Sequence, residues 1–325
     1  MTADLNRRQL LTLGVGLFVT LSIPPGLRRR TLLARRTLPL MGTLAELQVA
    51  HFDQRLAEDA IDAALAELLW VERTMTRFRP DSDIGRANLG AAREAVTVTP
   101  ATAAVIGAAL RWAEATDGRF DPALGAASEL WDVLHRRVPP PAEPVRRLAG
   151  RGFWRTVDLD RSRGMPAVRF GDPEVRLDLG GIAKGYGVDR ATAALRARGI
   201  EHAIVTVGGD LYALGTAPGG HPWQVGIRSP HHPSALAATL ELSERAVATS
   251  GDYERFFRWR GVRYHHLIDP DTAAPRRTPV HSTTVLADRC LDADAAATAV
   301  FGMPREEAER TARRLAPGAD VIPLT

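Results

Sequence analysis

The sequence predicts an α+β protein of two lobes, in which mixed and antiparallel sheets pack against helices. Three observations carry this expectation. Strand-like and helix-like segments do not alternate regularly, which argues against a doubly wound parallel sheet. Helical spacing dominates residues 53–135, whereas residues 203–268 hold short apolar runs broken by Pro and Gly. Between them lies the proline-rich loop 139–144, and a lobe boundary is expected near 139–150. With 325 residues, 45% hydrophobic and 25% charged, the chain can bury one large core or two smaller ones.

At the N-terminus, Asn6-Arg7-Arg8-Gln9 leads into an apolar run over 10–23 and then Pro24-Pro25-Gly26. This is the pattern of a twin-arginine export signal. The run is shorter than the roughly 20 residues of a membrane-spanning helix. Residues 1–30 are therefore read as an export signal, with an uncleaved N-terminal anchor as the alternative because no clean Ala-x-Ala site follows. The remaining chain, 31–325, is expected to form the working domain in the periplasm or on the outer face of the inner membrane.

Residues 37–50 alternate as a strand, interrupted at Met41-Gly42-Thr43. A helix follows over 53–78, with Ala57, Ile61, Leu65, Leu68 and Met75 on one stripe. It ends in the turn-rich run Arg79-Pro80-Asp81-Ser82-Asp83. A second helix spans 102–116, and a third follows Arg119-Phe120-Asp121-Pro122 and reaches 131–135. Short strands are expected over 154–170 and 175–179, then a helix over 182–198. Strands at 203–207, 211–214, 223–227, 237–242, 246–249 and 264–268 come next, and helices at 293–301 and 304–315 close the chain.

The net charge of +4 is modest. No basic block is interleaved with aromatics, so nucleic acid is not an expected partner. Cys290 is the single cysteine, which excludes a disulfide framework or a cysteine metal site within the chain.

The chemistry is expected around residues 177–189, Leu-Asp-Leu-Gly-Gly-Ile-Ala-Lys-Gly-Tyr-Gly-Val-Asp. A β-like run ends in a carboxylate, a Gly-Gly turn and a helix start, whose free N–H groups suit an anion. Of 42 Lys plus Arg residues, Lys184 is the only lysine. A compact point charge on a flexible stem is physically unlike a guanidinium, so Lys184 reads as chosen for size and reach. Asp294 and Thr298 are spaced i, i+4 and share one helix face. Such hard oxygen donors suit Mg²⁺, although Asp292 or Asp294 could equally cap the helix. His265 and His266 end a strand and point to opposite faces, so one of them can serve as an acid or base. The hydroxyls of Thr249-Ser250 could donate to a phosphate, and Phe78 and Phe120 could stack on a planar ligand or belong to the core.

Taken in order, several motifs resemble one family. These are Met41-Gly42-Thr43, Phe78-Arg79-Pro80-Asp81-Ser82-Asp83, Gly118-Arg119-Phe120-Asp121-Pro122, the 177–189 stretch, Val207-Gly208-Gly209-Asp210, Thr249-Ser250-Gly251-Asp252-Tyr253, His265-His266-Leu267-Ile268-Asp269-Pro270, and Ala293-Asp294 through Thr298. Over residues 38–303 the chain resembles the ApbE-type FAD:protein FMN transferases. The resemblance implies an ApbE-like fold and an exported or membrane-associated enzyme. Such an enzyme uses Mg²⁺ to transfer FMN from FAD to a Ser or Thr of an acceptor flavoprotein, with release of AMP. It implies Asp294, the Thr298 hydroxyl and the Gly181 carbonyl as metal ligands. Met41, Phe78, Arg119, Phe120, Asp121, Asp178, Lys184 and His266 would line the FAD site. Asp178 or His266 would take the hydroxyl proton, and Lys184 would neutralise phosphoryl charge. A Mg²⁺-dependent FAD pyrophosphatase and a non-catalytic FAD-binding module are the alternatives. Arg119, Ala123 and Phe78 depart from the residues common at these positions, which bears on the adenine end.

Overall fold

The computed structural model describes residues 17–20, 32–162, 164–232 and 234–325. Of the segment read as an export signal, only Leu17–Thr20 is among them, as strand β1. No helix among the described residues is long and apolar enough to cross a membrane.

Strands β2 (Leu32–Leu40) and β3 (Thr43–His51) form a hairpin turning at Met41-Gly42. Helix α1 (Gln54–Met75) is capped by Asp53, which accepts the Leu56 N–H at 3.1 Å. Its predicted stripe of Ala57, Ile61, Leu65, Leu68 and Met75 is buried. Burying one such leucine fully is worth about 1.5–3 kcal/mol. The run expected only to turn starts helix α2 (Asp83–Gly90), because Ser82 caps it through the Gly85 N–H at 2.8 Å. Then come β4 (Val96–Thr97), α3 (Pro100–Ala115), α4 (Gly125–Trp131) and α5 (Ala142–Leu148), the last within the expected boundary region. Strands β5 (Val157–Asp160) and β6 (Ala167–Phe170) join β4 in a small antiparallel sheet.

The strand expected at 175–179 does not form. Only Arg176 bridges, to Leu124. Asn88 takes the place of a neighbouring strand, accepting the Leu177 N–H at 2.7 Å and donating to the Leu177 carbonyl at 2.9 Å. The Asp178 N–H goes to the Pro122 carbonyl at 2.8 Å. These contacts satisfy the backbone of a buried segment without a ladder.

Helix α6 (Ala183–Arg196) is followed by β7 (Ala203–Val207), β8 (Asp210–Leu214), β9 (Trp223–Arg228), β10 (Leu236–Leu242) and β11 (Arg245–Gly251). The hairpin β12 (Phe256–Trp259) and β13 (Val262–His265) precedes the short pair β14 (Ile268–Asp269) and β15 (Ala274–Pro275). Strand β16 (Ser282–Ala287), helices α7 (Cys290–Val300) and α8 (Arg305–Ala312), and β17 (Asp320–Leu324) complete the fold.

Strands β17-β16-β11-β8-β7-β3-β2 form one sheet, antiparallel at every pairing. Both faces of its centre are covered. Ala203, Val205, Tyr212, Leu214, Ala246 and Ala248 face the main core with the helices, while Ile204, Leu211, Ala213 and Val247 face a second core. Trp223, Val225 and Ile227 of the sheet β1-β9-β10 fill that second core from the other side. Two-sided burial removes the polar-out alternation, so β7 and β8 read as continuous apolar runs. Strand β16 hides differently: its buried Ser282, Thr283 and Thr284 look polar in sequence.

Candidate active site

Helices α6 and α7 cross closely on the face of the seven-stranded sheet, and glycine permits it. A Cβ at Gly185 would collide with the Cys290 carbonyl and fall 2.9 Å from the Asp294 Cβ. A Cβ at Gly181 would lie 3.0 Å from the Thr298 Oγ1 and 3.1 Å from the Phe120 ring. The close approach lets the Gly185 N–H donate to Asp294 Oδ2 at 3.0 Å. The crossing is fixed from the other end as well. Asp189 of α6 accepts the Cys290 and Leu291 N–H groups at 2.7 and 3.0 Å, capping α7 from outside its own chain segment. Burial pushes the Asp189 carboxyl up to about 6, against those same amide donors.

Lys184 projects into the centre of this arrangement. Its Nζ lies 2.9 Å from Asp294 Oδ1 and 2.7 Å from Asp210 Oδ2, with the Gly180 carbonyl at 3.4 Å. The Asp210 contact is an ion pair whose alignment is poor for a hydrogen bond. Burial opposes the Lys184 charge, but the two carboxylates outweigh it and hold the ammonium well above its usual range. Burial first, and then the nearby Asp294, raise the Asp210 carboxyl well above the ordinary range, with Lys184 opposing. The Thr298 hydroxyl sits 3.4 Å from that of Ser250.

Around this centre lie most of the other expected residues. Phe120 is buried against Gly181. Asp178 accepts the Gly180 N–H at 2.9 Å and pairs with Arg77 Nε at 3.1 Å. The Arg77 guanidinium lies 4.3 Å over the ring of Phe78, whose 78% exposure leaves it available to a planar ligand. Met41, at φ +51°, reaches over Gly187 of α6. His265 is buried and bonded to the Arg276 carbonyl at 2.8 Å, which gives it a packing role. His266 places Nδ1 3.4 Å from the Arg255 carbonyl. Burial, then the Arg255 charge, push its pKa down to about 3, so its imidazole is neutral.

Two expected ligand contacts turn inward. Asp121 accepts the Ala123 N–H at 2.8 Å, bracing its own loop, and burial pushes its carboxyl up to about 6. Arg119 donates to the Phe301 carbonyl at 3.3 Å, and Arg276 donates to the same oxygen at 2.8 Å.

Sequence reasoning did not single out Asp210, Asp189, Arg77 or Glu254. Asp210 stood in view after the second Gly-Gly turn, directly ahead of an apolar strand. Glu254 carries a buried Oε1 without a hydrogen-bond partner, and burial pushes its carboxyl up to about 7 against Lys184, Arg255 and Arg228.

The donor set bears on a metal. Carboxylate, hydroxyl and carbonyl oxygens are the hard donors that Mg²⁺ prefers. Among the described residues no group of three or more His, Cys, Asp or Glu could form an all-protein cage. A cation held by few protein ligands, with water and phosphate completing its shell, suits Asp294, Thr298 and Gly181.

Fold and site together define an α+β protein in which one buried lysine is held between two carboxylates where two helices cross. Residues 41–322 match the ApbE family, and the chain belongs to it. An FAD:protein FMN transferase of Treponema pallidum is 36% identical over 300 residues, covering 87% of this chain and 82% of the relative. The ApbE protein of Thermotoga maritima superposes with a TM-score of 0.80 at 30% identity, covering 90% of this chain and 94% of the other. The flavin transferase ApbE of Vibrio cholerae gives a TM-score of 0.77 at 30% identity, covering 90% and 93%.

Proposed function

We propose that this chain is an FAD:protein FMN transferase, which moves FMN from FAD to a Ser or Thr hydroxyl of an acceptor protein and releases AMP. The observation that carries the reading is the ammonium of Lys184 held between Asp294 and Asp210 beside Thr298, at the entrance of a helix. Phosphoryl transfer asks mainly for positioning and for neutralised charge. Asp294, Thr298 and the Gly181 carbonyl would hold Mg²⁺, which when bound supplies Lewis-acid polarisation of the phosphate oxygens. Lys184 would place a second positive charge on the transferring group.

The acceptor oxygen bonds to the flavin-side phosphorus, and the bond from that phosphorus to the bridging oxygen breaks. AMP leaves with the bridging oxygen and its electron pair. The hydroxyl proton needs a base. Asp178 has its two oxygens engaged by Gly180 and Arg77. The Arg255 carbonyl lies at Nδ1 of His266, which leaves Nε2 to take the proton. We assign the role to His266. Phe78 would stack against a ring of FAD, whereas Phe120, expected to line the same site, is buried in the core behind Gly181 and presents no open ring face. The twin-arginine pattern in residues 1–30 supports export, with the acceptor met in the periplasm or at the membrane face.

Mass spectrometry of a flavin-accepting domain after incubation with this protein, FAD and Mg²⁺ tests the reading. Gain of an FMN phosphoester, lost with EDTA and lost in Asp294→Ala, is the expected result. Free FMN and AMP without protein modification would mean that water is the acceptor. Intact FAD would mean a binding module.

A further inference from the structure

The β12–β13 hairpin carries features that its own stability does not explain. Among the described residues it pairs with no third strand, and it is anchored by Phe257, which packs with Trp131 and Val133. Its register sets Arg258 directly opposite Arg263, a like-charged cross-strand pair that costs stability. Arg263 is compensated by Asp252 at 2.5 Å. Among the described residues, no carboxylate pairs with Arg258 or Arg260. The two-residue turn puts Arg260 at φ +47° and Gly261 at φ +78°. Asn, Asp or Gly is the usual choice at the first of these positions, so an arginine there is kept against backbone preference. Phe256 and Trp259 stay 37% exposed beneath arginines: Arg263 lies 4.9 Å and Arg258 5.9 Å from the Phe256 centroid, and Arg260 5.3 Å from that of Trp259.

The root of the hairpin is part of the candidate site. The Arg255 carbonyl accepts the His266 N–H at 3.1 Å, and Arg255 Nη2 donates to the Gly42 carbonyl at 2.9 Å beside Met41. The hairpin root therefore borders His266.

We propose that the β12–β13 hairpin is the docking element for an acidic segment of the acceptor protein, with Arg258 and Arg260 as the charge-reading residues and Phe256, on the same face as Arg258, as the apolar anchor. The proposal rests on the transferase reading for the identity of the partner. Two unpaired guanidiniums over exposed rings fit carboxylates that flank a short extended segment. An anionic membrane carries the same charge, but the hairpin root borders the site that the acceptor hydroxyl must enter. A bilayer lying on the hairpin would cover that entrance.

The test compares the full chain with its Arg258→Glu/Arg260→Glu variant, using a flavin-accepting domain and a copy whose carboxylates around the target threonine are changed to lysine. Binding is measured by calorimetry and transfer by mass spectrometry. The expected result is about tenfold weaker binding and a correspondingly higher acceptor KM, with kcat and the KM for FAD unchanged. Binding by the wild type should weaken with salt, and the lysine-bearing domain should prefer the variant. Unchanged acceptor binding in the variant would overturn the proposal, as would a wild type that binds no acceptor. So would loss of binding to phosphatidylglycerol vesicles with acceptor affinity intact. The calorimetric readout needs no chemistry, so absent transfer with charge-dependent binding would count against the transferase reading alone.

Discussion

The Asp189 carboxylate accepts the Cys290 backbone N–H at 2.7 Å, so the helix that carries Lys184 caps the helix that carries Asp294 and Thr298. With the second bond from Leu291 and the close packing at Gly185, this hydrogen bond helps set the spacing of the residues expected to hold metal and phosphate.

Asp189→Ala should therefore lower stability by about 1–2 kcal/mol, the usual cost of a lost cap. It should also weaken Mg²⁺ binding. Asp189→Asn keeps an acceptor and should recover most of the stability. Urea unfolding of the three proteins, alongside Mg²⁺ titration calorimetry, checks both effects. Equal stability in the alanine variant would mean that the α6–α7 crossing is held by packing alone.

Lys184 stands between two carboxylates of which Asp210 is almost fully buried. Lys184→Ala leaves these charges facing each other and should cost about 3–5 kcal/mol, with transfer reduced about a hundredfold or more. Lys184→Arg should not restore transfer, because a planar guanidinium does not fit where one ammonium nitrogen reaches both carboxylates. Steady-state rates for the arginine variant within a few-fold of wild type would defeat this account.

Gly185→Ala adds a methyl against the Cys290 carbonyl and 2.9 Å from the Asp294 Cβ. The helices must part, and overpacking of this kind costs about 1–3 kcal/mol. The Gly185 N–H contact to Asp294 should go with it. The expected signature is a lower Tm together with a raised Mg²⁺ requirement. A variant that loses stability but keeps its metal dependence would separate the crossing from the site.

His266 supplies a pH test whose sign is fixed. Its folded pKa is pushed down to about 3 from 6.5, so the folded state disfavours the proton that the unfolded chain accepts. Its contribution is fully present above pH 6.5 and is lost as pH falls toward about 3. The slope is at most about 1.4 kcal/mol per pH unit. Asp189, Asp121 and Glu254 act with the opposite sign, because burial raises their carboxyls to about 6, 6 and 7. Comparing wild type with His266→Gln isolates the histidine: between pH 6.5 and 4 the wild type should lose more stability than the variant. Parallel curves would place His266 in water.

Much of this protein is legible in its sequence. The stripe of α1 follows from a 3.6-residue period, and the stripe residues are buried where that period puts them. The lone lysine pointed to Lys184 because composition made it an exception, and the i, i+4 spacing of Asp294 and Thr298 is a local property of one helix. The ordered motifs pointed to the ApbE family.

Tertiary structure decided what local pattern cannot reach. Residues 175–179 have strand composition, yet Asn88, far away in sequence, takes both backbone groups of Leu177, the Asp178 N–H goes to Pro122, and no ladder forms. Asp189 and Asp210 look like ordinary carboxylates until folding brings one to a helix end and the other to Lys184. Asp121 and Arg119 sit in the expected motif, yet Asp121 accepts the Ala123 N–H and Arg119 Nη2 donates to the Phe301 carbonyl. Periodicity and propensity act over a few residues along the chain and are written in the sequence. A buried polar atom must find its partner wherever the packed chain offers one, and only the folded chain determines which residue that is.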